Sequence, residues 1–164
     1  MEHKIIRRFK LAKTCFGCND GPSEGIGMRA YETEDGFAVG VATTKSCHQG
    51  LPGLVHGGVI GVYLDEVMWH AIEITSPTAM TMTVEMNITY KKPIEVGQRI
   101  LIVTHTTSAI GRLFEVKGEI ILPDGHVAAA GNAKYVVTKN HFVDDEKQRQ
   151  FIYYEHSDLK RIDF

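Results

Sequence analysis

The sequence predicts an α+β fold in which an antiparallel sheet wraps around one long central helix. Three observations lead there. Residues 58–74 are apolar on nearly every side, from Val59 through Leu64 to Ile74, and a helix without a polar face has to be covered all round. Thr81–Tyr90 alternates without a break between apolar and polar residues, the period of a strand. After that segment come three more β-rich stretches separated only by short turns, which leaves no room for helices between strands.

Taken in order, residues 1–14 (MEHKIIRRFKLAKT) predict a short, basic, amphipathic start that is partly helical. Residues 15–35 are rich in Gly, Asp and Glu and predict mostly loop, with a strand near Gly27–Tyr31. In Phe37–Thr44, Phe37, Val39 and Val41 alternate with small residues as in a strand. Cys47–Val55 contains Pro52 and several turn formers and leads as a loop into the helix, which Thr75-Ser76-Pro77 ends. In Thr81–Tyr90, alternation directs Met82, Val84, Met86, Ile88 and Tyr90 toward the helix and Thr81, Thr83, Glu85, Asn87 and Thr89 away. Pro93 and Gly97 mark a turn, Gln98–Ser108 is a β-branched strand and Ala109–Arg112 a tight connection. Leu113–Leu122 alternates again, Pro123-Asp124-Gly125 is a hairpin signal, and His126–Thr138 is the last strand. Its Ala128-Ala129-Ala130-Gly131 run predicts close packing. The tail, Asn140–Phe164, mixes charge with Phe142, Phe151, Ile152, Tyr153 and Tyr154 and is compatible with a helix docked on the surface or at an oligomer interface. The division is a leader over 1–35, a folded domain over 36–138 and a tail over 139–164.

Composition narrows the function. The 164 residues suit one domain with a core, and 43% are hydrophobic, which argues against bulk disorder. A formal net charge of -2 argues against general nucleic-acid binding. No apolar run reaches membrane-spanning length, and the N-terminus has no signal-peptide core. Three cysteines give no disulfide framework, and Cys15-x-x-Cys18 with Cys47-His48 is too weak a pattern for a zinc site. The expectation is a cytoplasmic protein without metal.

The chemistry concentrates in Val55-His56-Gly57-Gly58-Val59-Ile60-Gly61-Val62-Tyr63-Leu64-Asp65-Glu66. Glycines at a helix start let a reactant approach unpaired N–H groups at the positive end of the dipole. A carboxylate inside a greasy helix, Asp65, requires a task or a partner. An oxyanion site and an acid/base group together suit acyl chemistry. Glu66 points about 100° away around the helix and reads as structural. His56 reads as a residue that positions the helix start, and His70 and Trp69 as interior or interface residues.

The His56-Gly57-Gly58 to Asp65 spacing, the stretch Met82-Thr83-Val84-Glu85-Met86-Asn87-Ile88-Thr89-Tyr90-Lys91-Lys92-Pro93, and Gly111-Arg112 resemble the hotdog-fold acyl-CoA thioesterases. Within them the match is to the subgroup typified by phenylacetate-degradation thioesterases and their eukaryotic relatives. The leader residues Cys15-Phe16-Gly17-Cys18 and Gly25-Ile26-Gly27-Met28 are similar to what precedes the fold in some members. The resemblance covers roughly 15–138. It implies hydrolysis of an acyl-CoA to free acid and coenzyme A, with no cofactor beyond the coenzyme A of the substrate. It implies Asp65 as general base or nucleophile, Gly57 or Gly58 as oxyanion donor, Thr83 as the hydroxyl that holds water, and His56 beside them. Substrate would lie against Gln49, Thr89, Tyr90, Lys91, Gly111 and Arg112, with phosphates near Lys91, Lys92 and Arg112. Members often carry Asn or Gln where this chain has Gly50, with Gln49 or His48 as substitutes. Gly57 and Asp65 are eight residues apart, ~12 Å along a helix, so one carbonyl cannot touch both from the same chain. A homodimer with composite sites follows, with a dimer of dimers also open. The competing readings are a non-catalytic acyl-CoA-binding protein and a hydratase or dehydratase on the same fold.

Overall fold

With no polar face to give to water, Gly57–Thr75 forms the one long helix, α1, and the sheet is built around it. The computed structural model describes residues 2–12, 15–17, 25–138, 151–152 and 157–164. Its strands are β1 (Glu2–Arg8), β2 (Leu11–Ala12), β3 (Arg29–Thr33), β4 (Ala38–Thr43), β5 (Thr81–Tyr90), β6 (Arg99–Ile110), β7 (Leu113–Ile121), β8 (Val127–Val137), β9 (Phe151–Ile152) and β10 (Arg161–Asp163). One antiparallel sheet runs β10-β1-β3-β4-β6-β7-β8-β5, and β2 pairs with β9 apart from it. This is the hotdog architecture.

The helix lies against the inner face of the sheet. Tyr63, Leu64, Val67 and Met68 are fully buried among Ile102, Val116, Ile120 and Ala129. The approach is close enough that a Cβ on Gly40 would meet Val67 Cγ2 at 2.5 Å, and one on Gly118 would meet Met68 Cε at 3.0 Å. The small residues expected to mark close packing also do so: Ala128 and Ala129 are completely buried. Two strand threonines tie the layers together. Thr104 Oγ1 donates to the Val67 carbonyl at 2.9 Å and Thr106 Oγ1 to the Ala71 carbonyl at 3.0 Å, one helical turn further on.

Two expectations near the ends are corrected. Residues 2–8 form a strand, not a partial helix: His3 and Ile5 are buried while Glu2, Lys4 and Ile6 are exposed, a period of two. The basic residues that suggested an amphipathic helix sit on a strand paired on both edges, with β3 and β10. The described parts of the tail hold no helix but two short strands, 151–152 and 161–163, and the second completes that pairing. Residues 139–150 and 153–156, including Phe142 and Tyr153, lie outside the described residues. The sheet therefore draws strands from the leader and the tail as well as from 36–138. A second small cluster, Ile5, Tyr31, Val39 and Ile162 with Phe164 against them, covers part of its outer face.

A buried histidine holds the loop before α1. His48 Nδ1 accepts from the Lys45 N–H at 2.9 Å and contacts the Tyr63 hydroxyl at 3.2 Å. Burial lowers its pKa from the ordinary 6.5, and the nearby Lys45 ammonium adds to that. The folded state thus prefers neutral imidazole while the unfolded chain binds a proton more readily. The stabilisation is present above about pH 6.5 and is lost as pH falls below it. Thermal melts from about pH 7.5 to 5.5 should show a larger drop in Tm for the wild type than for His48→Gln. Equal drops would remove His48 from the acid sensitivity.

Candidate active site

Asp65 and Thr83 are brought together by an irregularity in β5. Thr83 pairs with Tyr135 and Glu85 with Lys134, so Val84 is an extra residue in the ladder. The bulge reverses the facing of everything before it. Met86 and Ile88 pack toward the core, but Met82 and Val84 are exposed. This corrects the simple alternation, which sent Met82 and Val84 to the helix and Thr83 away. Thr83 Oγ1 instead donates to Asp65 Oδ1 at 2.8 Å.

A residue the sequence reading missed completes this group. The Tyr135 hydroxyl donates to the same Oδ1 at 2.9 Å and lies 3.3 Å from the Asp65 carbonyl oxygen. Burial raises the Tyr135 pKa above its ordinary 10, and the charge of Asp65 raises it further. The phenol stays a donor through the working pH range. The available signal was a tyrosine on the buried face of the last strand, whose hydroxyl requires a partner. Asp65 is half-buried, and its Oδ2 has no hydrogen-bond partner among the described residues. Next to it, Glu66 lies beneath the leader. Cys15 Sγ is 3.5 Å from Glu66 Oε2, and a Cβ on Gly17 would fall 2.2 Å from the same oxygen. Cys18 lies outside the described residues.

The helix start is a separate cluster. His56 is the N-cap, and its Nδ1 accepts from the Gly58 N–H at 2.9 Å. That assigns the two glycines different states: the Gly58 N–H is occupied, and the Gly57 N–H has no acceptor among the described residues. Tyr90 reaches across from the end of β5 and donates to the Gly57 carbonyl at 3.0 Å. A cavity of about 600 Å³ opens here, bounded by Gly57, Ile60, Leu51, Tyr90, Lys91 and Lys92. The loop residues contribute less than expected. Gln49 Oε1 accepts from the Gly53 N–H at 2.8 Å and so closes its own turn. His48 is buried. Gly50 is held close to the cap, since a Cβ there would sit 3.0 Å from His56 Cα. A larger residue at that position would displace the cap.

The remaining predicted contacts are dispersed. Thr89 is exposed on the opposite face of β5 from Ile88. Gly111 makes the β6–β7 turn with φ 60°, and Arg112 donates from Nε and Nη2 to the Val137 carbonyl. Lys91 and Arg112, both expected near phosphate, stand at opposite ends of β5. Lys91 follows Tyr90, which pairs with Ala129, whereas Arg112 sits by Val137, which pairs with Thr81. The length of β5, ~30 Å, separates them. Arg112 lies at the Asp65 end and Lys91 at the Gly57 end.

Substituting the cap tests its structural part. His56→Ala should cost about 1 kcal/mol, lowering Tm by roughly 2–4 °C for a chain of this size. His56→Asn, which can accept the same N–H, should recover most of it. Unchanged melting for the alanine variant would show that the helix start does not depend on this bond.

Comparison with known proteins shows what the chain is similar to. The thioesterase superfamily model matches residues 52–129. Acyl-coenzyme A thioesterase 13 of Mus musculus is 27% identical over 93 residues, which are 52% of this chain and 66% of that protein. An uncharacterized protein of Schizosaccharomyces pombe is 34% identical over 76 residues, 46% of this chain and 43% of that protein. The chain thus spans less than two thirds of the length of these curated relatives. The crystal structure of zebra fish thioesterase superfamily member 2 superposes with a TM-score of 0.65 at 20% identity, covering 77% of this chain and 90% of that one.

Proposed function

We propose that this chain, a hotdog-fold member of the thioesterase superfamily through residues 52–129, hydrolyses acyl-CoA thioesters with Asp65 as the base. The observation that carries the reading is the Asp65 carboxylate itself. One oxygen is tied by the Thr83 and Tyr135 hydroxyls, and the other is left for a reactant. In the reaction, water attacks the thioester carbon while Asp65 takes its proton, and Thr83 orients that water. The carbonyl oxygen gains negative charge, which the free Gly57 N–H at the positive helix end stabilises. The carbon–sulfur bond then breaks, and the thiolate of coenzyme A leaves and is protonated. Similarity to acyl-coenzyme A thioesterase 13 supports coenzyme A as the carrier. Among the described residues no helix is long and apolar enough to cross a membrane, and a cytoplasmic location fits the cysteine usage.

The site is shared between two copies of the chain. Asp65 and Gly57 are ~12 Å apart on one helix, so a single carbonyl meets both only when they come from different subunits. β5 supplies the means. Among the described residues this 10-residue strand ends the sheet without a second partner, and Met82 and Val84 are exposed along it. Two β5 edges related by a twofold axis run antiparallel. The Thr81 end of one then lies beside the Tyr90 end of the other. That arrangement joins Asp65 and Arg112 of one subunit to Gly57, Tyr90 and Lys91 of the second, which gathers the dispersed contacts at one substrate. Lys91 is placed for phosphate, whereas Arg112 already spends two donors on Val137.

Asp65→Asn should retain the fold and lose about 10²–10⁴-fold in kcat, read by free-thiol release over a panel of acyl-CoA esters. Wild-type rates on every ester would end the assignment. Subunit sharing has its own test. Asp65→Asn and Gly57→Val, each inactive alone, are mixed and allowed to exchange, with exchange verified by tagged pull-down. One site of a mixed dimer carries both lesions and the other carries none, so up to about half of wild-type activity returns. Verified mixed dimers without activity would place both groups in one subunit's site.

A further inference from the structure

Resting on the reading of Asp65 as the base, we propose that Tyr135 is its positioning residue. The Tyr135 hydroxyl, together with Thr83, fixes the carboxylate so that Oδ2 alone faces the reactant. Tyr135 lies on β8 directly opposite Thr83 on β5. The bulge at Val84 turns Thr83 inward at this one place, so hydroxyls from neighbouring strands converge on Asp65 Oδ1, at 2.8 and 2.9 Å. A carboxylate on a helix can rotate about two side-chain bonds. Two donors on one oxygen remove that freedom and fix the plane of the group. They also leave the second oxygen without a competitor among the described residues.

The alternative is that Tyr135 only fills the core. Its ring does belong to the main hydrophobic cluster and is 1% exposed. A phenylalanine would fill the same space without burying a hydroxyl. Both acceptors of that hydroxyl, Oδ1 and the backbone carbonyl, belong to Asp65. A polar atom placed in the core with both its acceptors on one residue acts on that residue. Preorganisation of this kind lowers the reorganisation needed when the proton moves, so it is felt in kcat and not in substrate binding.

The test is a double-mutant cycle on the full chain, with steady-state kinetics on an acyl-CoA ester. Tyr135→Phe should lower kcat about 10-fold, the worth of one hydrogen bond to a charged group, with KM within about twofold of wild type. In the Asp65→Asn background the same substitution should change the residual rate by less than about twofold, because no base remains for the hydroxyl to position. An equal loss in both backgrounds, or an unchanged kcat in the first, overturns the proposal. Should the phenylalanine variant fail to fold, 4-aminophenylalanine and 4-methylphenylalanine in place of Tyr135 make the same comparison at matched size. The amine should hold kcat within about threefold of wild type and the methyl should lose about 10-fold, and equal rates for the pair overturn the proposal. Wild-type activity of Asp65→Asn would instead remove the base assignment and this proposal together. An inactive Asp65→Asn beside a fully active Tyr135→Phe removes only the role of Tyr135.

Discussion

The structure follows from one burial problem: α1 is apolar around most of its circumference, and the eight-stranded sheet has to cover it. A sheet curved around the helix meets this only if the two surfaces approach closely. Gly40 and Gly118 leave the necessary gaps at Val67 and Met68. Thr104 and Thr106 are the polar counterpart, since their hydroxyls are satisfied by helix carbonyls and not by water. Packing and hydrogen bonding thus fix the rotation and depth of the helix together. That fixed rotation carries Asp65 to the margin of the sheet, where β5 and β8 can reach it.

Closure on the β5 side is incomplete among the described residues, and the proposed site sits there. The other edge of the sheet is extended by β1 and β10, and the outer face beside them has its own apolar cluster. Among the described strands β5 pairs only with β8, and it carries one irregularity and an exposed surface. A bulge is tolerated more easily at an edge, where only one ladder has to accommodate it. Here it changes which face Thr83 occupies. The same departure from regular pairing that exposes Met82 and Val84 therefore assembles the hydroxyls around the carboxylate.

The start and the middle of α1 act differently. At its start the His56 cap and the Tyr90 hydroxyl hold Gly57 and Gly58 in place, while the Gly57 N–H has no acceptor among the described residues. Eight residues later Asp65 is held by two strands. The two positions are held apart by a rigid stretch of helix. The antiparallel edge-to-edge arrangement proposed for two copies makes this separation useful, because it brings the helix start of one copy beside the Asp65 of the other.

The sequence by itself determined the hydrophobic framework. The long helix was legible because an apolar run without a polar face has one stable solution, and strands β4 to β8 because a period of two with turn residues between them is a local signal. Asp65 and the Gly57-Gly58 pair were legible for the same reason, as residues out of keeping with a buried helix. Tertiary structure decided the rest. Residues 2–8 and 161–163 are strands because they pair with each other, and a pairing between the two ends of a chain leaves no mark in either segment. Alternation misassigned Thr83 because a single inserted residue, Val84, inverts the facing of a strand, and only the register with β8 reveals the insertion. Tyr135 was invisible as a site residue because its meaning lies in a bond to Asp65, 70 residues away in the chain. Local patterns follow from local sterics and solvation, whereas these outcomes depend on which distant backbone or side chain is adjacent once the core has closed.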